Sequence, residues 1–125
     1  MYILIFIIHI QRENSMDPVN FFKCLADESR LNLILLITHV QSACVCDLMQ
    51  ALSLDQPKTS RILAQLRQCG IVKDERCGKW MYYSLHPDLP EWAHEVITQT
   101  AQQSTPLLNN ALKKLRALQL SINCC

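Results

Sequence analysis

The sequence predicts a mainly α-helical (α+β) fold of the winged helix-turn-helix type. The stretch from Cys44 to Gly70 has the pattern of two helices joined by a tight turn. The residues that follow it, 71–85, have the pattern of a β-hairpin. A hairpin directly after a helix-turn-helix is the wing of this fold, and apolar helices before and after it complete the core.

Composition limits the class of protein. A chain of 125 residues, half of them hydrophobic, is long enough for one domain with its own core. The chain has two glycines and no Gly-rich loop for a phosphate, so we predict that it is not an enzyme. Its seven cysteines are an odd number and follow no proper signal peptide. This favours reduced thiols in the cytoplasm, which bind metals or react.

The chain divides into three parts. Residues 1–15 are an N-terminal extension, residues 16–105 are the winged helix-turn-helix domain, and residues 106–125 are a C-terminal helix with a cysteine-containing tail. Tyr2 to Ile10 is largely apolar but too short to span a bilayer, so we expect no membrane partner. We attribute the extension to a translation start upstream of Met16 or to extra packing. A short membrane-surface anchor is the alternative.

Two helices are predicted ahead of the helix-turn-helix. The first runs from Pro18 to Ala26, with Val19, Phe22 and Leu25 facing inward. The second runs from Arg30 to Thr38 and is apolar on nearly every side. That pattern is typical of a buried central helix.

Local signals bound the second helix of the helix-turn-helix. Asp55 can cap its start, Pro57 suits its first turn, and Gly70 suits the position after its end, so we predict a helix from about Gln56 to Cys69. One face is apolar and the other is polar and basic, which by itself also suits a solvated surface helix. In a helix-turn-helix, however, this second helix enters the major groove of DNA. The predicted DNA contacts are Gln56, Lys58, Thr59, Ser60, Arg61 and Gln65.

The hairpin supplies the predicted wing. Ile71 to Asp74 and Trp80 to Leu85 are strand-like, and a Gly-containing turn lies between them. We expect Arg76 and Lys79, at the tip, to contact phosphate or the minor groove. Residues 56–80 hold six basic and two acidic side chains, whereas the whole chain has a net charge of only +1. The basic charge is concentrated where double-stranded operator DNA is the expected partner.

Cys44 and Cys46 lie at the start of the first helix of the helix-turn-helix. The helix dipole and the unbonded N–H groups there favour thiolates, which bind soft ions. Residues i and i+2 point to the same side of an extended segment but not of a helix. One ion can therefore reach both sulfurs only if the helix start opens, which would displace Gln56 to Arg61 from DNA. Small apolar packing residues and a thiol redox sensor are the alternatives.

Four stretches occur in a specific order: FKCLADESRLNLILL, CVCDLMQAL, DQPKTSRILAQLRQCGIV and GKWMYYSLHP. Together they resemble the ArsR/SmtB family of bacterial metal-responsive repressors, most closely its arsenic-responsive members with the CVCDL sensor sequence. The resemblance covers roughly Pro18 to Leu89. It implies a repressor induced by As(III) or Sb(III), with Cys44 and Cys46 as metal ligands and no organic cofactor.

The resemblance leaves the third ligand open. Arsenic-responsive relatives often read CVCDLC and so supply three thiolates, but position 49 here is Met49. The candidates are Cys24, Cys124 and Cys125, and we expect no role for Cys69. Cadmium- and lead-responsive relatives add cysteines from an N-terminal extension, and residues 1–23 contain none. A cadmium or lead sensor is therefore the alternative rather than the preferred function.

The helices after the hairpin have more apolar surface than one small domain can bury. The last of them carries an apolar stripe that includes Leu108, Leu112 and Leu115. In the family, the first and last helices form a homodimer, and such a two-fold dimer presents two recognition helices to a palindromic operator. We therefore expect this stripe at a subunit interface. The alternative is a last helix that folds back on its own core.

Overall fold

The computed structural model describes residues 16–103 and 105–121 and confirms the winged helix-turn-helix fold. The predictions about residues 1–15, Cys124 and Cys125 lie outside the described residues. In chain order the elements are α1 (Pro18–Leu25), α2 (Glu28–Val40), β1 (Ala43–Cys44), α3 (Val45–Leu52), α4 (Gln56–Gln68), β2 (Val72–Cys77), β3 (Trp80–Leu85), α5 (Glu91–Ala101) and α6 (Pro106–Ser121).

The boundaries of α4 follow from the signals that predicted them. The Asp55 carboxylate accepts a hydrogen bond from the Lys58 backbone N–H at 2.8 Å, which satisfies one of the free donors at the helix start. Gly70, at φ +79°, takes the left-handed conformation that ends the helix without a Cβ clash. The turn before α4 is closed by Ser53, which is also left-handed at φ 55°.

The sheet has one strand more than the sequence predicted. Its three antiparallel strands lie in the order β1-β3-β2, and β1 pairs Ala43 with Tyr83 and Cys44 with Tyr82. The sequence did not reveal β1, because a strand of two residues is too short to show an alternating pattern. In the wing, β2 continues to Cys77, so the hairpin turn is shorter than predicted.

Helix α2 forms the centre of the core, as predicted. Its residues 33–37 are each at most 5% exposed. Helices α1, α4, α5 and α6 and strand β3 pack around it, which explains why α2 has almost no polar face. The predicted span of 30–38 is extended at both ends, and the Asp27 side chain accepts the Arg30 backbone N–H at 3.0 Å to cap the start.

The inward face of α1 differs from the prediction. Val19 and Phe22 are 59% and 51% exposed, whereas Phe21 is buried. The Phe21 ring packs edge-on against Trp92 of α5, with centroids 5.0 Å apart. The position of that tertiary partner selects which side of α1 turns inward, and Leu25, one turn after Phe21, is buried with it. Val19 and Phe22 therefore remain at the surface.

Helix α6 folds back on the core of its own chain. It packs against α3 and α2, and Leu108, Ala111 and Leu115 are buried there. Leu108 and Leu115, which were predicted at a subunit interface, are therefore covered by their own chain, whereas Leu112 of the same stripe is only partly buried. The homodimer itself stays a prediction. α3 and α2 already present apolar surface that this stripe covers. Beyond it, the Gln119 side-chain amide donates to the Ser42 carbonyl at 2.9 Å.

A disulfide joins Cys24, at the end of α1, to Cys69, the residue that ends α4. The Cα atoms are 6.9 Å apart across 45 positions of sequence. This bond differs from the expectation of reduced thiols, and it gives Cys69 a partner that the sequence did not predict. The packing of α1 beside the end of α4 brings the two sulfurs together.

Within the described residues, no helix is long and apolar enough to cross a membrane.

Candidate functional site

The polar face of α4 lies at the surface over its whole length. The apolar side of the helix, represented by Ile62, Leu63 and Leu66, is buried against the core. This division into a buried and an exposed face agrees with the predicted periodicity. Of the residues predicted to contact DNA from this helix, the structure leaves five exposed: Gln56, Lys58, Ser60, Arg61 and Gln65.

Thr59 is a correction to the predicted DNA contacts. Its side chain is fully buried, and its hydroxyl donates to the Asp55 carbonyl at 2.8 Å. Position 59 falls on the apolar side of α4, between residues that point outward at 58 and 60. The side chain therefore stabilises the first turn of the helix and cannot meet a base edge.

Arg30 is a residue of this surface that the sequence did not single out. Its guanidinium donates to the carbonyls of Cys24 and Lys23 at 2.6 and 3.2 Å, and so caps the end of α1. Another guanidinium nitrogen donates to the Gln65 side-chain oxygen at 3.3 Å. Arg30 thus links the end of α1 to the exposed face of α4. The 35 positions between Arg30 and Gln65 explain why no local pattern revealed this contact.

The wing carries the two basic residues predicted for it. Arg76, near the end of β2, and Lys79, in the turn, are both exposed. Arg67 has a different role, because its guanidinium forms a 2.7 Å ion pair with Asp74 and so ties α4 to β2. Such an exposed pair contributes at most about 1 kcal/mol to stability. It does, however, neutralise one of the six basic residues counted in this region.

Tyr83 lies in the middle of the sheet. Burial raises the pKa of its phenol above the ordinary value of 10.0, and the Asp74 carboxylate raises it further, whereas Arg67 lowers it. The neutral phenol therefore predominates at physiological pH. Tyr83 pairs with Ala43 of β1 and with Asp74 of β2, so it connects the wing to the strand that ends at the predicted sensor.

The predicted sensor cysteines lie where a strand becomes a helix. Cys44 ends β1 with an extended backbone (φ −87°, ψ 160°), is fully buried, and is the N-cap residue of α3. Cys46 lies in the first turn of α3 and is half-buried. Within residues 16–103 and 105–121, no three His, Cys, Asp or Glu side chains are grouped closely enough to hold a metal. A complete three-ligand site is therefore not preformed among the described residues.

Comparison with known proteins agrees with this architecture. Residues 27–74 match a family described as "Bacterial regulatory protein, arsR family". The chain is 48% identical over 99 residues to the arsenic resistance transcriptional regulator ArsR2 of Pseudomonas putida, which covers 78% of this chain and 86% of that protein. The chain belongs to the arsR family. It is also 48% identical over 82 residues to the arsenical resistance operon repressor of Escherichia coli, which covers 66% of this chain and 70% of that protein.

Solved structures show the same fold as this member of the arsR family. The transcriptional regulator HlyU of Vibrio vulnificus superposes with a TM-score of 0.61 at 28% identity, over 76% of this chain and 95% of that one. The AntR antimony-specific transcriptional repressor superposes with a TM-score of 0.55 at 25% identity, over 68% and 80%. Family and fold together identify a transcriptional regulator of the arsR family with a winged helix-turn-helix, and its similar proteins include regulators of arsenical resistance and an antimony-specific repressor.

Proposed function

We propose that this protein is a cytoplasmic, non-enzymatic repressor that binds operator DNA as a homodimer and is released by As(III) or Sb(III). The ion binds thiolates of Cys44 and Cys46. One observation carries the proposal: both cysteines lie at the start of α3, and only three residues separate α3 from α4. The arsenical-resistance relatives and the antimony-specific repressor support the choice of a trivalent metalloid.

The geometry at Cys44 suggests how the ion acts. Cys44 is extended and Cys46 is helical, so their side chains leave the backbone in different directions. One ion can bond to both sulfurs if the first turn of α3 unwinds. Leu48 and Ala51 are buried on the same helix, so the unwound turn moves a segment that is packed on the core. The short turn transmits that movement to the start of α4.

A cysteine from the C-terminal tail is the better supported third ligand. Cys24 is joined to Cys69, which removes its thiolate as long as that bond is intact. Gln119, near the end of α6, donates to the carbonyl of Ser42, two residues before Cys44. Cys124 follows Gln119 by five residues, a length of chain that reaches roughly 17 Å when extended. We therefore propose that Cys124 or Cys125 completes the three-thiolate site.

The proposed DNA contacts divide into base readout and phosphate contact. Arg61→Ala is expected to reduce discrimination between operator and random DNA, because the first turns of α4 meet base edges. Lys79→Ala is expected to weaken binding to both DNAs and to lower the salt slope by about one unit, because the wing contacts phosphate. Fluorescence anisotropy of labelled operator and random duplexes over a salt series measures both. Equal loss of specificity in the two variants would contradict this docking.

The exposed apolar side chains of α1 are the proposed dimer surface. Val19 and Phe22 are exposed on α1, and Trp92 of α5 is 38% exposed. The rings of Phe22 and Trp92 lie 6.5 Å apart, so the aromatic surface is continuous from α1 to α5. Exposed apolar patches of this kind mark interaction surfaces. Since Leu108 and Leu115 of α6 are buried within the chain, a second copy is the occupant proposed for the α1–α5 patch.

Phe22→Glu is expected to weaken the dimer at least about tenfold and to lower operator affinity with it. A charge at a buried interface position is costly, whereas the fold survives because this side chain is half-exposed in the single chain. Leu120→Glu is the matched control, since Leu120 is 89% exposed on α6. Sedimentation equilibrium and far-UV circular dichroism measure association and folding. A Phe22→Glu protein that dimerises as tightly as the wild type would rule out this surface.

A release titration tests the function as a whole. Wild-type protein bound to labelled operator is titrated separately with arsenite, antimonite, cadmium, zinc and peroxide. Release by arsenite and antimonite without an oxidant supports the proposal. Release by cadmium but not arsenite would indicate a cadmium sensor, and release by peroxide alone would indicate a redox sensor on the same fold.

A further inference from the structure

The Cys24–Cys69 disulfide connects two helices with different roles. Cys24 is in the last turn of α1, and Cys69 ends α4, whose exposed face is the proposed DNA reader. The chain between them includes α2, α3 and α4, so the bond closes a loop around the whole helix-turn-helix. In cytoplasmic proteins of ordinary bacteria, disulfides are usually transient and serve catalysis or redox sensing.

Both cysteines can be reached from solvent. Each is half-buried, and a cavity of about 220 Å³ is lined by both of them together with Lys23 and Arg30. A second cavity, of about 380 Å³, also reaches Cys69. Small oxidants and reductants therefore have a path to the sulfurs.

The disulfide acts together with a hydrogen bond that reaches the DNA face. Arg30, in the first turn of α2, donates to the carbonyl of Cys24 and to the side chain of Gln65, so it contacts both helices that the disulfide joins. With the disulfide intact, α4 is held to α1 at its end, and Arg30 occupies the side-chain oxygen of Gln65. Without it, α4 is no longer tied covalently to α1, and the exposed hydrogen bond from Arg30 of α2 to Gln65 can be exchanged for a contact with DNA.

We propose that Cys24 and Cys69 are a reversible thiol–disulfide couple whose oxidation by a hydroperoxide weakens operator binding, independently of Cys44 and Cys46. One thiolate attacks the peroxide, the O–O bond breaks, and a sulfenic acid forms with release of water or an alcohol. The second thiol attacks that sulfur, the S–S bond forms, and water leaves. Two electrons pass from the thiols to the peroxide, and a dithiol reductant reverses the change.

The test compares reduced and oxidised forms of the full chain. Wild type, Cys24→Ser, Cys69→Ser and Cys44→Ser/Cys46→Ser proteins are reduced with dithiothreitol, or oxidised with hydrogen peroxide that is then removed. Peptide mass mapping identifies the disulfides, and anisotropy of labelled operator measures the affinity. Wild type and the Cys44→Ser/Cys46→Ser variant are expected to lose at least about fivefold in affinity on oxidation and to regain it on reduction. The Cys24→Ser and Cys69→Ser variants should keep the affinity of the reduced form.

Three outcomes overturn the proposal. In the first, peroxide-treated wild type lacks the Cys24–Cys69 bond. In the second, oxidised protein that has the bond binds operator as tightly as the reduced protein. In the third, the Cys24→Ser variant loses as much affinity on oxidation as the wild type. The inference uses only the DNA-binding part of the proposed function. A reduced protein that binds no operator would contradict the proposed DNA binding. The disulfide is tested separately, because peptide mapping does not depend on DNA. Circular dichroism of each variant verifies that it is folded.

Discussion

Replacement of both Cys44 and Cys46 by Ser is expected to raise the arsenite concentration needed for release of operator by at least about tenfold. Soft thiolates bind trivalent arsenic, and hard hydroxyls do not replace them. Folding and operator affinity should change little. Position 44 is the N-cap of α3, and Ser is among the preferred residues at an N-cap. Anisotropy of labelled operator, titrated with arsenite, measures the effect.

The matched control removes two sulfurs from another part of the chain. The Cys24→Ser/Cys69→Ser protein lacks the disulfide but keeps the proposed sensor, so its reduced form should release operator at the wild-type arsenite concentration. The Cys124→Ser/Cys125→Ser protein should need more arsenite, because the two remaining thiolates still hold the ion. Undiminished release from the Cys44→Ser/Cys46→Ser protein would falsify the sensor assignment.

Leu115→Ala is expected to lower the free energy of unfolding by about 2–5 kcal/mol, the usual cost of a buried Leu→Ala change. Leu115 is fully buried in α6, which packs against α3 and α2 within the single chain. The change removes apolar contacts and leaves a cavity between the last helix and the core. Urea unfolding followed by circular dichroism measures the loss.

Leu120→Ala is the control for this prediction. Leu120 lies on the same helix but is 89% exposed, so its replacement should change stability by no more than about 0.5 kcal/mol. A cost at position 120 equal to that at position 115 would show that α6 does not pack as described. A Leu115→Ala protein that is a folded monomer with unchanged stability would contradict the burial of Leu115 within the single chain and indicate a subunit interface instead.

The prediction for α1 shows where periodicity is insufficient. Val19, Phe22 and Leu25 have the helical spacing of a buried stripe, but so do Phe21 and Leu25, which are the buried pair. The choice between these two stripes depends on Trp92, more than 70 residues later in the chain. A periodic pattern identifies an amphipathic helix but does not identify the partner that covers it.

Thr59 illustrates the same limit within the candidate site. Its place near the start of the recognition helix suggested a DNA contact, whereas its place on the apolar face buried it. Neighbours such as Lys58 and Arg61 lie near the start of the helix and are also exposed. Predicted contacts from α4 are therefore strongest where position along the helix and position around it agree.

By itself, the sequence determined the helix-turn-helix and the wing, because their signals are local. Asp55, Gly70 and the Gly-containing turn act on neighbouring backbone groups, and the face of α4 follows from a short repeat. Only the tertiary structure decided the strand at Cys44, the fold-back of α6, the Arg30–Gln65 bridge and the Cys24–Cys69 bond. These features join positions from 35 to 77 residues apart, and they form only when the whole chain packs around α2.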